Sequence, residues 1–135
     1  MSIKISEMKD IQIEEIVALY KANGWSAAEK PTELFNALLN SHSLITAWDG
    51  NKLVGLGNAI SDGYFVVYYP HLLIHPEYQG KGIGRKIVDK MREKYGDFHM
   101  QMLTTDVKAI NFYKQAGFVR AGKTQAMWIY KGNEH

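Results

Sequence analysis

The chain has no cysteine among its 135 residues and only three prolines. Without cysteine, the protein forms no disulfides, no thiolate metal sites and no cysteine nucleophile. That composition fits a reducing compartment, and we expect a cytoplasmic location. No apolar run approaches the ~20 residues of a membrane-spanning helix. The N-terminal stretch "MSIKISEMKDIQIEE" carries charges where a signal peptide needs its apolar core, so we expect neither export nor a membrane partner.

The chain also carries little net charge. Sixteen basic and 14 acidic side chains leave a formal net charge of +2, whereas nucleic-acid-binding proteins usually carry a concentrated basic face. We therefore expect no nucleic-acid partner. The hydrophobic fraction of 46% and the charged fraction of 22% are ordinary for a globular protein. At this length the sequence predicts one domain spanning residues 1–135.

Hydrophobic periodicity predicts the elements of the first half of the chain. They are a short strand at Ile3–Ser6, a helix between Asp10 and Asn23-Gly24, a second helix after Pro31, a hairpin formed by "SLITAW" and "KLVGLGNAI" around Asp49-Gly50-Asn51, and a long strand at Tyr64–Ile74. The last of these is rich in β-branched and aromatic residues, which is typical of a strand buried over much of its length.

The second half predicts two further helices and two further strands. They are a helix from Ile83 to Gly96, a strand at Phe98–Leu103, a short helix "KAINFYKQAG" closed by Gly117, and a last strand at Gln125–Tyr130. The predicted order is β-α-α-β-β-β-α-β-α-β. Its central strand–helix–strand unit implies a parallel pair, so we expect an α/β domain with a single mixed sheet flanked by helices.

The stretch "YQGKGIG", Tyr78–Gly84, places three glycines at the junction of a strand and a helix. A nucleotide P-loop does not fit, because Lys81 is followed by Gly82 rather than by Ser or Thr. A dinucleotide fingerprint fits weakly, because the spacing is G-x-G-x-G and the unit lies in the middle of the chain. A third pattern, Q-x-x-G-x-G, fits. Such a turn directs backbone N–H groups outward at a helix N-terminus, where an anion is favoured. The alternative is a glycine-rich turn that serves packing alone.

This stretch resembles the pyrophosphate-binding motif of the GNAT superfamily of acyl-CoA-dependent N-acetyltransferases. "HLLIHPEYQGKGIGRKIVDKM" is similar to that family's strand–loop–helix unit, and "AINFYKQAGF" is similar to its second CoA-contacting segment. The resemblance extends from Leu53 through Phe118, and the element order carries it over nearly the whole chain. It implies the GNAT fold, direct acetyl transfer from acetyl-CoA to a primary amine, and no metal.

The resemblance also implies a set of CoA-binding residues. Backbone groups of the turn and the residue after it would hold the diphosphate: Gln79, Gly80, Lys81, Gly82, Ile83, Gly84 and Arg85. Leu72, Leu73 and Ile74 would pair with the pantetheine arm through their backbone, although a plain buried strand also explains these three. The family often has asparagine where this chain has Asp106, and an ionised aspartate accepts but does not donate hydrogen bonds. Asn111 is the substitute we expect.

Tyr113 is the residue that the resemblance marks as general acid. A phenol with a pKa of ~10 keeps its proton at neutral pH and can donate it to a leaving thiolate. The alternative is a half-buried tyrosine whose hydroxyl only anchors CoA. For a general base, His71 has a suitable pKa range, and Tyr68 occupies the position where several relatives carry Glu or His. A tyrosine there would act only through ordered water. A satisfied sheet histidine is the alternative for His71.

The acceptor is the least determined part of the prediction. Many aromatic residues favour an apolar pocket for a small-molecule amine, and no acidic cluster suggests a polyamine or an aminoglycoside as acceptor. "LVGLGNAISDG", "DVKAINFYKQAGF" and "AMWIY" also resemble small chloroplast and cyanobacterial arylalkylamine (serotonin-type) acetyltransferases. The alternatives are a protein or peptide amine as acceptor and an inactive acyl-CoA-binding module. A homodimer is common in the family, and the last strand is then a candidate interface.

Overall fold

The structure is a computed structural model, and it describes residues 2–133. Its helices and strands are β1 (Ile3–Ser6), α1 (Ile13–Ala22), α2 (Pro31–Leu39), β2 (Ser43–Asp49), β3 (Lys52–Ser61), β4 (Val66–Tyr68), β5 (Leu72–Ile74), α3 (Ile83–Lys94), β6 (Met100–Met102) and α4 (Ile110–Gln115). Short 3₁₀ turns lie at Ser26–Glu29, Pro76–Tyr78 and Val107–Ala109. None of the helices within the described range is long and apolar enough to cross a membrane.

The six strands form one mixed sheet, in the order β1-β2-β3-β4-β6, with β5 also paired to β3. β4 and β6 are parallel and the other pairs are antiparallel. The predicted mixed sheet flanked by helices is therefore confirmed, including the parallel pair on either side of α3.

Two apolar clusters make up the core. One packs α1 and α2 onto the sheet and includes Ile16, Leu19, Leu38, Leu44 and Leu56. The other packs α3 onto the sheet and includes Ile45, Val54, Ile83, Ile87 and Met91. β3 contributes to both clusters, which explains why "LVGLGNA" is apolar on both faces rather than alternating.

The sequence predicted one continuous strand at Tyr64–Ile74, and this prediction is wrong. It consists of β4 and β5, separated by Tyr69-Pro70-His71. The register on β3 slips by one residue between them, because Ile60 pairs with Tyr68 whereas Gly57 pairs with Leu72. One extra residue in one strand is a β-bulge, and proline, which has no N–H for the ladder, is tolerated at such a position.

The last strand predicted at Gln125–Tyr130 is also not formed, so the observed order ends at α4. A turn, in which Thr124 N–H donates to Ala121 O (3.1 Å), precedes this segment. Met127 and Ile129 are 90% and 94% exposed. The prediction of a strand here is wrong: the composition favours one, but strand formation needs a neighbouring edge, and no described strand pairs with this segment.

Candidate active site

The glycine turn adopts a conformation that only glycine takes without strain. Gly80 and Gly82 have φ of 76° and 82°, in the left-handed region. Gly82 is the N-cap of α3, and the first helical hydrogen bond runs from Lys86 N–H to Gly82 O at 3.2 Å. The N–H groups of residues 83–85 therefore have no acceptor within the helix. Together with the helix dipole they form a site for an anion.

Gly84 serves a different purpose. It lies inside α3 with an ordinary backbone conformation, and a Cβ added there would meet Phe112 Cζ of α4 at 3.4 Å. Gly84 thus lies where α4 packs on the first turn of α3, at a distance that borders on ordinary van der Waals contact. Both explanations that the sequence left open are compatible with this geometry, and anion binding by the turn stays a prediction.

Three side chains fix the loop that leads into the turn. Gln79 Nε2 donates to Ile74 O of β5 at 3.1 Å. Tyr78 OH donates to Asp49 Oδ2 at 2.6 Å, and this hydrogen bond raises the pKa of the Tyr78 phenol. Sequence reasoning missed Asp49, because a partner 29 residues away leaves no local pattern. These two hydrogen bonds hold the end of the loop, at Tyr78 and Gln79, to β2 and β5.

β5 has one paired edge and one open edge. It pairs with β3, whereas β6 pairs with β4, so the sheet opens between β5 and β6 within the described residues. His71 O accepts from Asn58 N–H (3.2 Å) and His75 N–H donates to Val54 O (2.8 Å), both toward β3. In an antiparallel pair, the backbone N–H and C=O groups of successive residues point to opposite edges of the strand. Those of Leu73 therefore also point to β3, whereas those of Leu72 and Ile74 point into the opening. Leu73 is in the core, at 3% exposure.

Tyr113 lies on α4, next to the residue that touches Gly84. Its half-buried ring packs edge to face against Phe112 and Phe118, with centroids 4.9 and 5.9 Å away. Burial raises the pKa of Tyr113 to about 12. The phenol is therefore a weaker acid than a free tyrosine and keeps its proton throughout the physiological range.

Asn111 was predicted from the sequence as a CoA contact in place of Asp106, which stands where the family often has asparagine. Asn111 lies on α4 and is exposed. The Asp106 carboxylate accepts a hydrogen bond from Lys108 N–H at 2.9 Å and caps the 3₁₀ turn before α4. Asp106 therefore serves the local backbone, a role that aspartate performs as well as asparagine.

His71 lies in the bulge between β4 and β5. Its Nδ1 is 2.7 Å from Tyr20 OH of α1, and the donor depends on the imidazole tautomer. Trp25 packs edge to face on the imidazole, with centroids 5.2 Å apart. Burial raises the pKa of Tyr20 well above the ordinary phenol value, so its hydroxyl stays protonated. These contacts tie the end of α1 to the bulge, and sequence reasoning missed Tyr20.

Tyr68 ends β4, opposite Ile60 of β3 and Met102 of β6. Its neighbours Val67 and Tyr69 are buried in the cluster beneath α3. By strand alternation, Tyr68 points to the other face, where α1 and His71 lie. It is 39% exposed. The two candidate bases thus lie on one face of the sheet, whereas Tyr113 packs with Phe118 on the face of α3.

Comparison with known proteins gives one consistent family. The model described as "Acetyltransferase (GNAT) family" matches residues 11–118. An uncharacterised N-acetyltransferase, ycf52, from Pyropia yezoensis is 31% identical over 125 residues, covering 87% of this chain and 71% of the relative. A protein named histone acetyltransferase TAP1 from Glycine max is 29% identical, covering 81% of this chain and 52% of the relative. The solved structure of a GNAT-family acetyltransferase from Streptococcus pneumoniae superimposes with a TM-score of 0.82 at 29% identity, covering 96% of this chain and 99% of the other.

Proposed function

Because the chain belongs to the GNAT acetyltransferase family, we propose that it transfers an acetyl group from acetyl-CoA directly to the primary amine of a small molecule. The observation that carries this proposal is the pair of left-handed glycines, Gly80 and Gly82, at the N-terminus of α3 beside the open edge of β5. The family generally uses acetyl-CoA, and this arrangement fits it: an anion site for the diphosphate adjoins an extended backbone edge for the amide-containing arm.

The residues divide the binding of acetyl-CoA among them. Backbone N–H groups of the Gln79–Arg85 stretch bind the diphosphate, with the free amides of residues 83–85 contributing most. Peptide groups of Leu72 and Ile74 pair with the pantetheine arm, while Leu73 holds the strand in the core. The Arg85 side chain already pairs with Asp89 at 2.8 Å, so its guanidinium contributes less than its amide. Acetyl-CoA supplies the activated acyl group.

Tyr113 donates a hydrogen bond, and then its proton, to the departing sulfur. Its raised pKa ensures that the donor is protonated at every physiological pH. A phenol this weakly acidic stabilises developing negative charge mainly as a hydrogen-bond donor, and the complete proton transfer follows as the C–S bond breaks. The proton that the acceptor amine loses leaves toward the opposite face of the sheet.

His71 is the general base that this geometry favours, with Tyr68 as a second group acting through ordered water. Both lie on the face of α1, opposite Tyr113. The Tyr20 hydroxyl at 2.7 Å fixes the orientation of the imidazole and can stabilise it when it gains a proton. Separate faces for acid and base suit a reaction in which the incoming amine loses a proton and the leaving thiolate gains one.

The half-buried rings of Trp25 and His71 support a small aromatic or apolar amine as acceptor, whereas Tyr20 is fully buried and positions His71. Aromatic rings suit such an amine, and an arylalkylamine is the narrower proposal. The relative from Glycine max that is named a histone acetyltransferase favours a second candidate, a protein or peptide amine. An inactive acyl-CoA-binding module is the third candidate.

We further propose a cytoplasmic location, since a chain without cysteine needs no oxidising compartment to fold.

Thermal unfolding with acetyl-CoA, free CoA or NADH tests the binding step. A ligand at ~100 times its Kd adds about 2.7 kcal/mol, or several degrees for a domain of this size. We expect a shift with both CoA compounds and none with NADH. If neither CoA compound shifts the transition, the acyl-CoA assignment of the glycine turn is wrong.

Thiol release from acetyl-CoA then distinguishes the three candidates. The acceptors are tryptamine, serotonin, spermidine and a lysine-containing peptide. Turnover highest with the first two supports the arylalkylamine proposal, and turnover highest with the peptide supports the second candidate. A thermal shift without turnover on any amine would support the binding module.

A further inference from the structure

Asn58 is a polar side chain buried within the sheet. It lies on β3 at 4% exposure, in a strand whose other central residues are apolar or glycine. Burying a carboxamide costs free energy unless its donor and its acceptor both find partners. Both do so here, and the two partners are Ser41 and His71. The side chain of Asn58 therefore connects two segments that are not neighbours in the sequence.

The acceptor of Asn58 is used by the backbone of His71. His71 N–H donates to Asn58 Oδ1 at 3.1 Å, and Asn58 N–H donates to His71 O at 3.2 Å. In a regular antiparallel pair, two facing residues exchange both of these bonds between their backbones. Here the side-chain oxygen replaces a backbone carbonyl as the acceptor. Asn58 thus holds both backbone polar groups of His71.

This replacement lies at the bulge between β4 and β5, where the regular ladder is interrupted. Tyr69 N–H donates to Met102 O of β6 at 3.0 Å, whereas the backbone of His71 bonds toward β3. Pro70 lies between them and has no N–H to contribute. Asn58 therefore provides the hydrogen bonds by which the chain rejoins β3 after the bulge.

The donor of Asn58 fixes the orientation of the carboxamide. Asn58 Nδ2 donates to Ser41 Oγ at 3.0 Å, and Ser41 Oγ donates to Ala37 O of α2 at 2.8 Å. Lys9 Nζ donates to Ser41 O at 2.7 Å, so the backbone of Ser41 is held as well. If the carboxamide were turned over, its NH₂ group would face His71 N–H, and two donors would oppose each other. The hydrogen-bond partners therefore allow one orientation of the side chain.

We propose that Asn58 is a positioning residue for the general base His71. Asn58 fixes the backbone from which the imidazole extends, and the Tyr20 hydroxyl, 2.7 Å from His71 Nδ1, fixes the ring itself. With the backbone restraint removed, the imidazole no longer keeps its direction toward the attacking amine. The proposal rests on the proposed acetyltransferase function with His71 as the base, and it adds a residue that touches neither substrate.

Asn58→Leu removes both hydrogen-bonding ends of the side chain at similar size. It is expected to lower kcat by about tenfold or more, because a displacement of about 1 Å at a reacting group is enough for such a loss. The KM for acetyl-CoA should change less than about threefold, since the glycine turn is untouched. The rates are measured by thiol release with the amine that gives the highest turnover.

Thr46→Val is the matched control. Thr46 is also buried and hydrogen-bonded, because its Oγ1 accepts from Trp48 Nε1 at 2.9 Å, but it lies on β2 and pairs with Leu56 rather than with the bulge. It is expected to lower the midpoint of urea unfolding as Asn58→Leu does and to leave kcat unchanged. Far-UV circular dichroism establishes that each variant is folded.

A double-mutant cycle shows whether Asn58 acts through His71. Asn58→Leu is expected to lower kcat in the unmodified protein and to have no further effect in a His71→Gln background. Ser41→Ala is the second variant, since it frees the carboxamide from its acceptor with a smaller change to the core. It should show a smaller loss with the same dependence on His71. An unchanged kcat in folded Asn58→Leu, or an equal loss in both backgrounds, would overturn the proposal.

The ¹⁵N resonances of the His71 imidazole test the positioning without any turnover. They are recorded at mildly alkaline pH and assigned by comparison with His71→Gln. One tautomer is expected in the unmodified protein, because the ring is held against Tyr20, and a mixture of tautomers is expected in Asn58→Leu and Ser41→Ala. An unmodified protein that binds acetyl-CoA, shows this change and acetylates no amine would refute the proposed activity and still confirm that Asn58 positions His71. Identical His71 resonances in the unmodified protein and both variants would refute the positioning itself.

Discussion

Gly80 and Gly82 have φ of 76° and 82°, where a Cβ brings strain. Gly84 has an ordinary backbone conformation, and a Cβ there would lie 3.4 Å from Phe112 Cζ. A Cβ on Gly80 or Gly82 would meet no other group of the protein within 4 Å. The space around these two positions is therefore open. The turn therefore has a fixed backbone conformation and open space around it, which is the arrangement that a backbone-bound anion needs.

Gly82→Ala is expected to lower the free energy of unfolding by about 1 kcal/mol, because the left-handed backbone disfavours a Cβ. It should also weaken CoA binding, because the new methyl group lies where the diphosphate approaches. Urea unfolding and calorimetric titration with CoA measure the two effects.

Gly50→Ala is the control for that substitution. Gly50 has a φ of 60° in the β2–β3 turn and open space around it. It should cost similar stability and leave the Kd for CoA unchanged. Equal Kd values for both variants would show that the turn at Gly82 does not bind the cofactor.

Tyr113→Phe is expected to lower kcat by about 100-fold, within the usual range for loss of a general acid, with the Kd for CoA changed less than about threefold. The ring packing against Phe112 and Phe118 is retained in the variant, so stability should change little. Steady-state rates and calorimetry separate these quantities. Tyr64→Phe, at an 89% exposed position, should behave like the unmodified protein. A large loss of CoA affinity with kcat unchanged would assign the hydroxyl to anchoring instead.

Among the elements, β3 and α3 position the site because they pack unusually closely. Gly57 of β3 pairs with Leu72 of β5, and a Cβ on Gly57 would lie 2.7 Å from Met91 Cε and 2.9 Å from Ile87 Cγ2. The helix that begins at the glycine turn therefore lies directly against the strand that supports the open edge. The distance between the glycine turn and the open edge of β5 depends on this contact.

Gly57→Ala is expected to lower the free energy of unfolding by about 1–3 kcal/mol through overpacking. Met91→Leu in the same chain should recover part of that loss, because it withdraws the terminal methyl group that the new Cβ meets. Urea unfolding of the two single variants and the double variant measures the coupling. If the double variant loses as much stability as the two single variants together, Met91 is not the side chain that the new Cβ displaces.

For the molecule as a whole, buried phenols set the alkaline limit of stability. Burial raises the pKa of Tyr20, Tyr69 and Tyr113 above the ordinary value of about 10. The folded state thus holds these protons more tightly than the unfolded state does. Their contribution is complete below pH 10 and is lost as the pH rises from there through the folded-state pKa values, which for Tyr113 is about 12.

The contribution of these phenols to the free energy of unfolding should therefore be nearly constant between pH 8 and 9.5. It should be smaller at pH 11. Urea unfolding at these three pH values tests this, together with an ultraviolet titration of the eight tyrosines. The phenols of Tyr20, Tyr69 and Tyr113 should ionise only as the protein unfolds. Ionisation of all eight near pH 10 with the fold intact would contradict the expectation.

Sequence patterns were sufficient where the physical cause is local. The glycine turn depends on φ at Gly80 and Gly82, and α3 on apolar residues at helical spacing, so both were predicted in place. The predicted strand Tyr64–Ile74 ends where β5 ends, at Ile74, although its continuity was wrong. Tyr113 was assigned through the family resemblance, and its catalytic role stays a prediction.

The sequence by itself determined the fold class, the family and the glycine turn, because periodicity and left-handed glycines act over a few neighbouring residues. Only the tertiary structure decided how those parts meet. The Tyr20–His71 hydrogen bond spans 51 residues of chain, and the opening between β5 and β6 follows from which strand each one pairs with. The C-terminal segment illustrates the same division: its composition favours a strand, but a strand forms only where tertiary or quaternary contacts supply the edge that completes its hydrogen bonds.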